Sequence, residues 1–283
     1  MYKFEPILKT LVWGTESWVL SGVPGSESVV AEGPEAGRTL NEVYGGQFPL
    51  LVKFIDAHRD LSIQVHPDDD LALSRHGCKG KSEMWYVIGA AEGARLYSGM
   101  AKAVTPEEYE RRVQDGTITE VLAVHDVAPG DVFFIPAGRV HSICGGCYLA
   151  EIQQTSDITY RIYDYNRPGL DGKPRQLHTE LAKDAIDFRV ADDYRTRYGR
   201  RADAAVELVD CAQFTTTLFE LTAPLECPAP GAGRWLTVVC AGGAGTVNGA
   251  ALREGEALLL TPEENELRLV PSGSSLKILV SYC

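Results

Sequence analysis

The sequence predicts a mainly β protein, built from two β-sandwich or jelly-roll domains with a few short helices. Short runs rich in β-branched and aromatic residues recur along the chain, each bounded by Gly or Pro. Helix signatures are few and local. The glycine, apolar strand and proline order of Gly130 to Pro136 returns at Gly255 to Pro262, the mark of one β scaffold used twice. With 283 residues the chain exceeds one typical domain.

In the first half, strands are expected over Pro49 to Ile55, Leu61 to Val65, Met84 to Ile88, Asp131 to Ile135, Cys147 to Gln153 and Thr159 to Tyr163. Thr105-Pro106-Glu107-Glu108 supplies an N-cap, a first-turn proline and a capping-box glutamate, which predicts a helix running to about Gln114. Asp68 to Arg75 and Glu180 to Ile186 read as short helices. From Asp187 to Arg201 the chain is rich in Arg, Asp and Tyr and reads as a solvated connector. Beyond it, strands are expected over Thr215 to Thr222, Trp235 to Cys240, Gly245 to Val247, Ala257 to Leu260, Glu266 to Val270 and Ser275 to Ser281. The domains are placed at residues 1–190 and 191–283.

The formal net charge of −12 disfavours nucleic acid or an anionic membrane as partner, and an anionic substrate would need a local basic pocket. No apolar run resembles a signal peptide or is long enough to span a bilayer, so the expected compartment is the cytoplasm. Seven scattered cysteines fit free thiols better than a disulfide framework. Cys144-Gly145-Gly146-Cys147 could be a redox pair or half a zinc site, but its Gly-Gly centre reads as a hairpin turn between two small residues. His76 is expected at a helix end, His125 in a loop and His58 in a turn, all without function; His178 has no clear assignment.

The chemistry gathers in three segments. In Gln64-Val65-His66, residues i and i+2 of a strand point to one face, so the amide and the imidazole project together. Glu83 and His141 come from other strands, the latter at the end of the run that starts at Gly130. Two imidazoles, a carboxylate and an amide oxygen suit zinc, and a protein shell that leaves room for water or substrate marks a catalytic site. The spacing Gly-x5-Pro-x-Gly-x2-His of Gly130 to His141 resembles the second motif of the cupin superfamily, whose barrels commonly hold one metal ion. The echo at Gly255 carries no histidine, so activity is expected in the first domain alone.

More specific segments follow. Phe48 to Ala57, Leu61 to Asp69, Gly80 to Tyr86, Ile135 to His141 and Glu151 to Arg161 closely resemble the type I phosphomannose isomerases, in order across residues 4–190. That resemblance implies a zinc enzyme, one ion per chain, that interconverts mannose 6-phosphate and fructose 6-phosphate. It places the metal ligands on Gln64, His66, Glu83 and His141. Ser62, Lys81 and Lys53 fall on phosphate-binding positions, and Arg161, Glu151 and Asp157 lie near the reacting sugar. Strand alternation agrees for Lys81, two residues from Glu83, and for Ser62, two from Gln64.

Aldose–ketose isomerisation moves a proton between adjacent carbons through an enediol, so it needs a base and a fixed positive charge. Glu151 is the preferred base and Asp157 the fallback; Arg161 supplies the charge, and Lys81 is the further catalytic candidate. The segments Leu11 to Trp18 and Leu40 to Gln47 are shorter than is usual in the family, which is expected to open one side of the pocket, and there is no room for the helical insertion of longer members. The chain thus resembles the compact bacterial form, acting as a monomer or homodimer. A non-catalytic cupin that senses a sugar phosphate is the alternative from another class; an iron or manganese oxygenase is a third.

Overall fold

A computed structural model describes residues 1–283. The chain begins β1 (Tyr2–Glu5), β2 (Ile7–Leu11), β3 (Gly14–Ser21), β4 (Val29–Val30), α1 (Leu40–Tyr44), β5 (Leu50–Ala57), β6 (Ile63–Val65) and α2 (Asp69–His76). It continues through β7 (Glu83–Ala90), β8 (Arg95–Met100), α3 (Pro106–Gln114), β9 (Leu122–Asp126), β10 (Val132–Ile135), β11 (His141–Ile143), β12 (Cys147–Gln154), β13 (Tyr160–Tyr163) and α4 (Thr179–Ala185). The last part is all strand: β14 (Ala205–Asp210), β15 (Thr215–Leu221), β16 (Leu225–Pro228), β17 (Leu236–Val247), β18 (Ala250–Arg253), β19 (Ala257–Leu260) and β20 (Glu266–Tyr282). The expected mainly β architecture is thus present. No helix is long and apolar enough to cross a membrane.

Two compact units form, and they divide the chain differently from a single cut near residue 190. One comprises residues 1–7, 17–54 and 196–283; the other comprises 8–16 and 55–195. Strand pairing is the reason: β1 ladders onto β19, Tyr2 opposite Leu259, so the first strand completes the C-terminal sheet. That nine-stranded sheet runs β14-β15-β20-β17-β19-β1-β4, with β16 on β20 and β18 on β17. A six-stranded sheet runs β10-β7-β12-β5-β3-β2 and a five-stranded one β13-β6-β11-β8-β9.

In the second unit, Trp85, Phe133, Ile135 and Leu149 of the six-stranded sheet share one apolar cluster with Leu96 and Ile143 of the five-stranded sheet. The two sheets therefore pack face to face. On the other face of the five-stranded sheet, Ile63, Val65, Tyr160 and Ile162 pack with Tyr109 of α3 and Ala182 of α4. Alternation along β6 and β13 consequently turns Gln64 and Arg161 inward, away from the helices.

Local chemistry explains the helices that hold this face. Thr105 caps α3 by accepting from the Glu108 N–H, with Pro106 in the first turn. Asp68 caps α2 by accepting from Leu71 N–H, and Gly77 ends the helix in the left-handed region. Two pairs of strands expected as separate prove continuous, Leu236 to Val247 in β17 and Glu266 to Ser281 within β20, because register shifts between Cys240 and Gly245 absorb the bend without ending the ladder. The echo is structural as well: β10 and β19 each follow a glycine of positive φ, Gly130 and Gly255, and precede a proline.

Three expectations need correction. Cys144 to Cys147 is a turn, but not of a hairpin, since β11 and β12 lie in different sheets. All seven thiols are free, and burial pushes Cys144 up to about 12 and Cys147 to about 11, so neither is ionised near neutral pH. His125 lies in β9, its Nε2 3.2 Å from the Ser98 carbonyl. The stretch after Asp187 is not a solvated connector throughout: Tyr194 is buried, its hydroxyl donating to Met100 C=O at 2.9 Å and accepting from Met100 N–H at 3.1 Å.

Tyr194 fits because β8 has a glycine beneath it. Gly99 has φ +81°, and a Cβ there would lie 2.1 Å from two ring carbons of Tyr194. Gly99→Ala is expected to lower the unfolding free energy by about 3 kcal/mol, combining overpacking with positive-φ strain. Urea denaturation checks this; a midpoint equal to wild type would refute the packing described.

Candidate metal centre and active site

The five-stranded sheet aligns one row of inward side chains across its strands. Arg161 of β13 stands opposite Gln64 of β6, Gln64 opposite His141 of β11, and His141 opposite Ser98 of β8. His66 follows β6 two residues after Gln64 and points the same way. Across the interior, the six-stranded sheet pairs Glu83 with Gln153 and Trp85 with Glu151, on β7 and β12. Cross-strand partners share a face, so all four point inward with Ile135 and Phe133 of β10.

His66, Glu83 and His141 meet between the two sheets, their ligand atoms all within 4.8 Å of one another. All three are buried. Each imidazole is oriented by its far nitrogen: His66 Nδ1 donates to the Ile158 carbonyl and His141 Nδ1 to the Arg139 carbonyl, both at 2.8 Å. A carbonyl can only accept, so the proton of each neutral ring sits on Nδ1 and the Nε2 lone pair faces inward. His66 Nε2 lies 3.5 Å from Glu83 Oε2 and His141 Nε2 3.3 Å from Glu83 Oε1. Burial, with Lys81 adding to it, pushes His141 down to about 3 and keeps it neutral. The Gln64 amide approaches His141 Nε2 at 3.3 Å, and half a turn of that amide presents its oxygen instead of its nitrogen. This is a group of lone-pair donors that could hold a metal ion.

Beside it sits a buried ammonium. Lys81 Nζ lies 3.1 Å from Glu83 Oε2 and 3.9 Å from Glu151 Oε1. The other oxygen of Glu151 accepts from the Trp85 indole N–H at 2.9 Å. Trp85 also sets its ring edge-on to His141, centroids 5.4 Å apart. One indole thus orients both a carboxylate and an imidazole.

Arg161 is held differently. Its Nη1 donates to the Gln176 carbonyl at 2.8 Å, whereas its Nε is buried without a hydrogen-bond partner. Burial, then the neighbouring Arg175, lowers its pKa from the ordinary guanidinium value, and it stays cationic. Nearby Asp164 accepts from Arg167 at 2.8 Å and from Arg175 at 2.6 Å. Its burial alone would raise the carboxyl, but these two guanidiniums hold it below the usual carboxylate range. Two guanidiniums share one carboxylate here, and Arg161 feels all three charges, a local basic surplus in an acidic chain.

Of the residues picked from sequence, Gln64, His66, Glu83, His141, Lys81 and Glu151 come together, and Arg161 stands on their row. Ser62 is buried just before β6. Asp157 is exposed in the loop between β12 and β13 and does not join the group. Lys53 belongs to the other compact unit, where its buried ammonium lies 5.7 Å from the centre of the Trp18 ring. Sequence reasoning misses Trp85, although alternation from Glu83 marks its face. It also gives His178 no assignment, because no short spacing links that residue to β13; its Nδ1 accepts the Arg161 backbone N–H at 3.2 Å.

Removing one imidazole should dismantle the donor set. His141→Ala is expected to weaken divalent-ion binding by more than about 100-fold, beyond the loss typical of an outer-sphere partner. Competition with a coloured chelator measures it, and an unchanged affinity would move the metal elsewhere.

Known proteins resemble this chain closely. Residues 15–92 match the family model for the catalytic domain of type I phosphomannose isomerase. A probable mannose-6-phosphate isomerase of Bacillus subtilis is 39% identical over 221 residues, 68% of this chain and 70% of the relative. The crystal structure of mannose 6-phosphate isomerase from Bacillus subtilis superposes with a TM-score of 0.90 at 28% identity, covering 100% of this chain and 99% of the other. A mannose 6-phosphate isomerase solved in a holo, zinc-bound form shares the fold, with a TM-score of 0.75 at 14% identity over 99% of this chain and 98% of the other. The chain belongs to the type I phosphomannose isomerase family.

Proposed function

We propose that the chain is a mannose-6-phosphate isomerase that converts mannose 6-phosphate to fructose 6-phosphate and back through an enediol, with one zinc ion held by Gln64, His66, Glu83 and His141. The observation that carries this reading is the buried meeting of His66, Glu83 and His141 with an ammonium and a second carboxylate beside them. Tetrahedral zinc with ligand bonds near 2.1 Å keeps its donors about 3.4 Å apart, and the two imidazole–carboxylate separations are 3.5 and 3.3 Å. Neutral imidazoles with Nε2 turned inward, a carboxylate and an amide are also the donor types zinc accepts. When bound, zinc supplies Lewis-acid stabilisation of negative charge on the sugar oxygens.

The chain's own residues do the rest. Glu151 is the base: the Trp85 indole holds one carboxylate oxygen, and the other faces Lys81, at the edge of the metal group. It takes the proton from C2 of the aldose and delivers it to C1 of the enediol, while the O2 hydroxyl proton passes to O1, so that C2 becomes the carbonyl of the ketose; the reverse reaction retraces these transfers. Asp157, exposed in its loop, lacks the surroundings for that role. Lys81, between Glu83 and Glu151, fits work beside the reacting carbons better than contact with a distant phosphate. Arg161 offers fixed positive charge to the enediol, and its Nε remains available for a hydrogen bond. Ser62 and the guanidinium surplus of Arg167 and Arg175 suit the phosphate.

A coupled assay with mannose 6-phosphate tests the reading. Turnover is expected in zinc-loaded protein, loss of turnover after chelation and return on adding zinc. Arg161→Ala should lower kcat by about 10²- to 10³-fold, the usual cost of removing one charge-stabilising donor, while zinc content stays at wild type. Full activity in thoroughly metal-free protein would defeat the proposal.

A further inference from the structure

Strand β13 lies at the edge of its sheet, paired with β6 on one side only. At Arg161 the other side is nonetheless closed by a single residue. The backbone N–H of His178 donates to the Arg161 carbonyl at 2.7 Å, and the Arg161 N–H donates to His178 Nδ1 at 3.2 Å. Both backbone groups of a strand residue point to the same side, where a neighbouring strand would offer one N–H and one C=O. His178 offers its own N–H and substitutes a ring nitrogen for the C=O. Two residues upstream, the Gln176 carbonyl takes the Arg161 guanidinium, so one short segment grips Arg161 at both ends. The ring is diverted from the capping role its position would give it, since His178 stands at the N-cap of α4 yet its side chain makes no capping bond.

We propose that His178 is a positioning residue for Arg161, completing the missing ladder rung with a neutral imidazole, so that turnover falls when acid protonates that ring. The proposal rests on the reading of Arg161 as the charge-stabilising group. Because Nδ1 accepts, the single proton of the neutral ring lies on Nε2. An imidazolium has no lone pair left, and its Nδ1–H would oppose the Arg161 N–H. The charged or titratable groups around the ring are Arg161 of β13, His76 at the end of α2, and Tyr160, whose hydroxyl is 2.7 Å from His76 Nε2 and whose ring centre is 6.4 Å from that of His178. Burial first, then Arg161 and His76, lowers the His178 pKa from 6.5. For a group depressed on folding, the interaction is intact above the unfolded value of about 6.5 and is lost as pH falls through the folded value.

The test uses zinc-loaded protein and measures kcat and KM for mannose 6-phosphate from about pH 5 to about pH 8, together with hydrogen exchange at the Arg161 amide. His178→Ala should lower kcat about tenfold with KM changed less than about twofold, as for loss of one hydrogen bond felt in the transition state. It should also speed Arg161 exchange about tenfold. His178→Asn retains an acceptor but cannot be protonated. It should recover most of the lost kcat, slow the exchange again and carry activity to lower pH than wild type, with zinc content equal in all three proteins. Wild-type kcat and exchange in His178→Ala, or a His178→Asn variant with the wild-type acid limb, would overturn the proposal. If His178→Ala does not fold, the acid limb of His178→Asn against wild type decides. A wild-type protein inactive on the sugar phosphate would sink the functional reading instead, and the exchange measurement would still judge the rung.

Discussion

Everything in the second unit depends on placing the Glu83 carboxylate where water cannot reach it. A lone carboxylate in such a place would cost several kcal/mol and would take up a proton instead. Here Lys81 approaches one oxygen, and two imidazole nitrogens flank the pair. The face-to-face packing of two sheets is what makes the arrangement possible. Glu83 arrives from one sheet and both histidines from the other, so the donor group is assembled only when the sheets close on each other.

Much of this is legible in the sequence because strands alternate. Gln64 and His66 share a face by their spacing, as do Lys81 and Glu83, and the apolar Val65 between the first two names the opposite face. The helix ends are equally legible, since Thr105 and Asp68 act within three residues of their own positions. Distant pairings are not. The joining of β1 to β19 spans almost the entire chain, and no local pattern announces it. For the same reason His178 is silent: its meaning lies in a strand edge left open at Arg161, which exists only once β13 has paired with β6. The stretch holding Tyr194 reads as solvated because its Arg and Asp residues dominate its composition, while one tyrosine determines where it packs.

Compared with each other, the two units show how little separates a site from a scaffold. β10 and β19 have the same punctuation, a positive-φ glycine before and a proline after. After β10 the chain turns through Gly138 to reach His141; after β19 it carries Glu263 and Glu264, and Glu264 pairs with the amino terminus. The strand keeps its form in both places, while the residues that follow it form an ion pair in one copy and join a buried donor group in the other.

The ammonium held between two carboxylates sets the charge that a metal ion meets. In formal charges, Lys81, Glu83 and Glu151 sum to minus one, and Arg161, on the facing row, brings the group to zero. A divalent cation taken up by the buried donors would therefore leave the site with a surplus of two positive charges, equal and opposite to the charge of a doubly ionised phosphate ester.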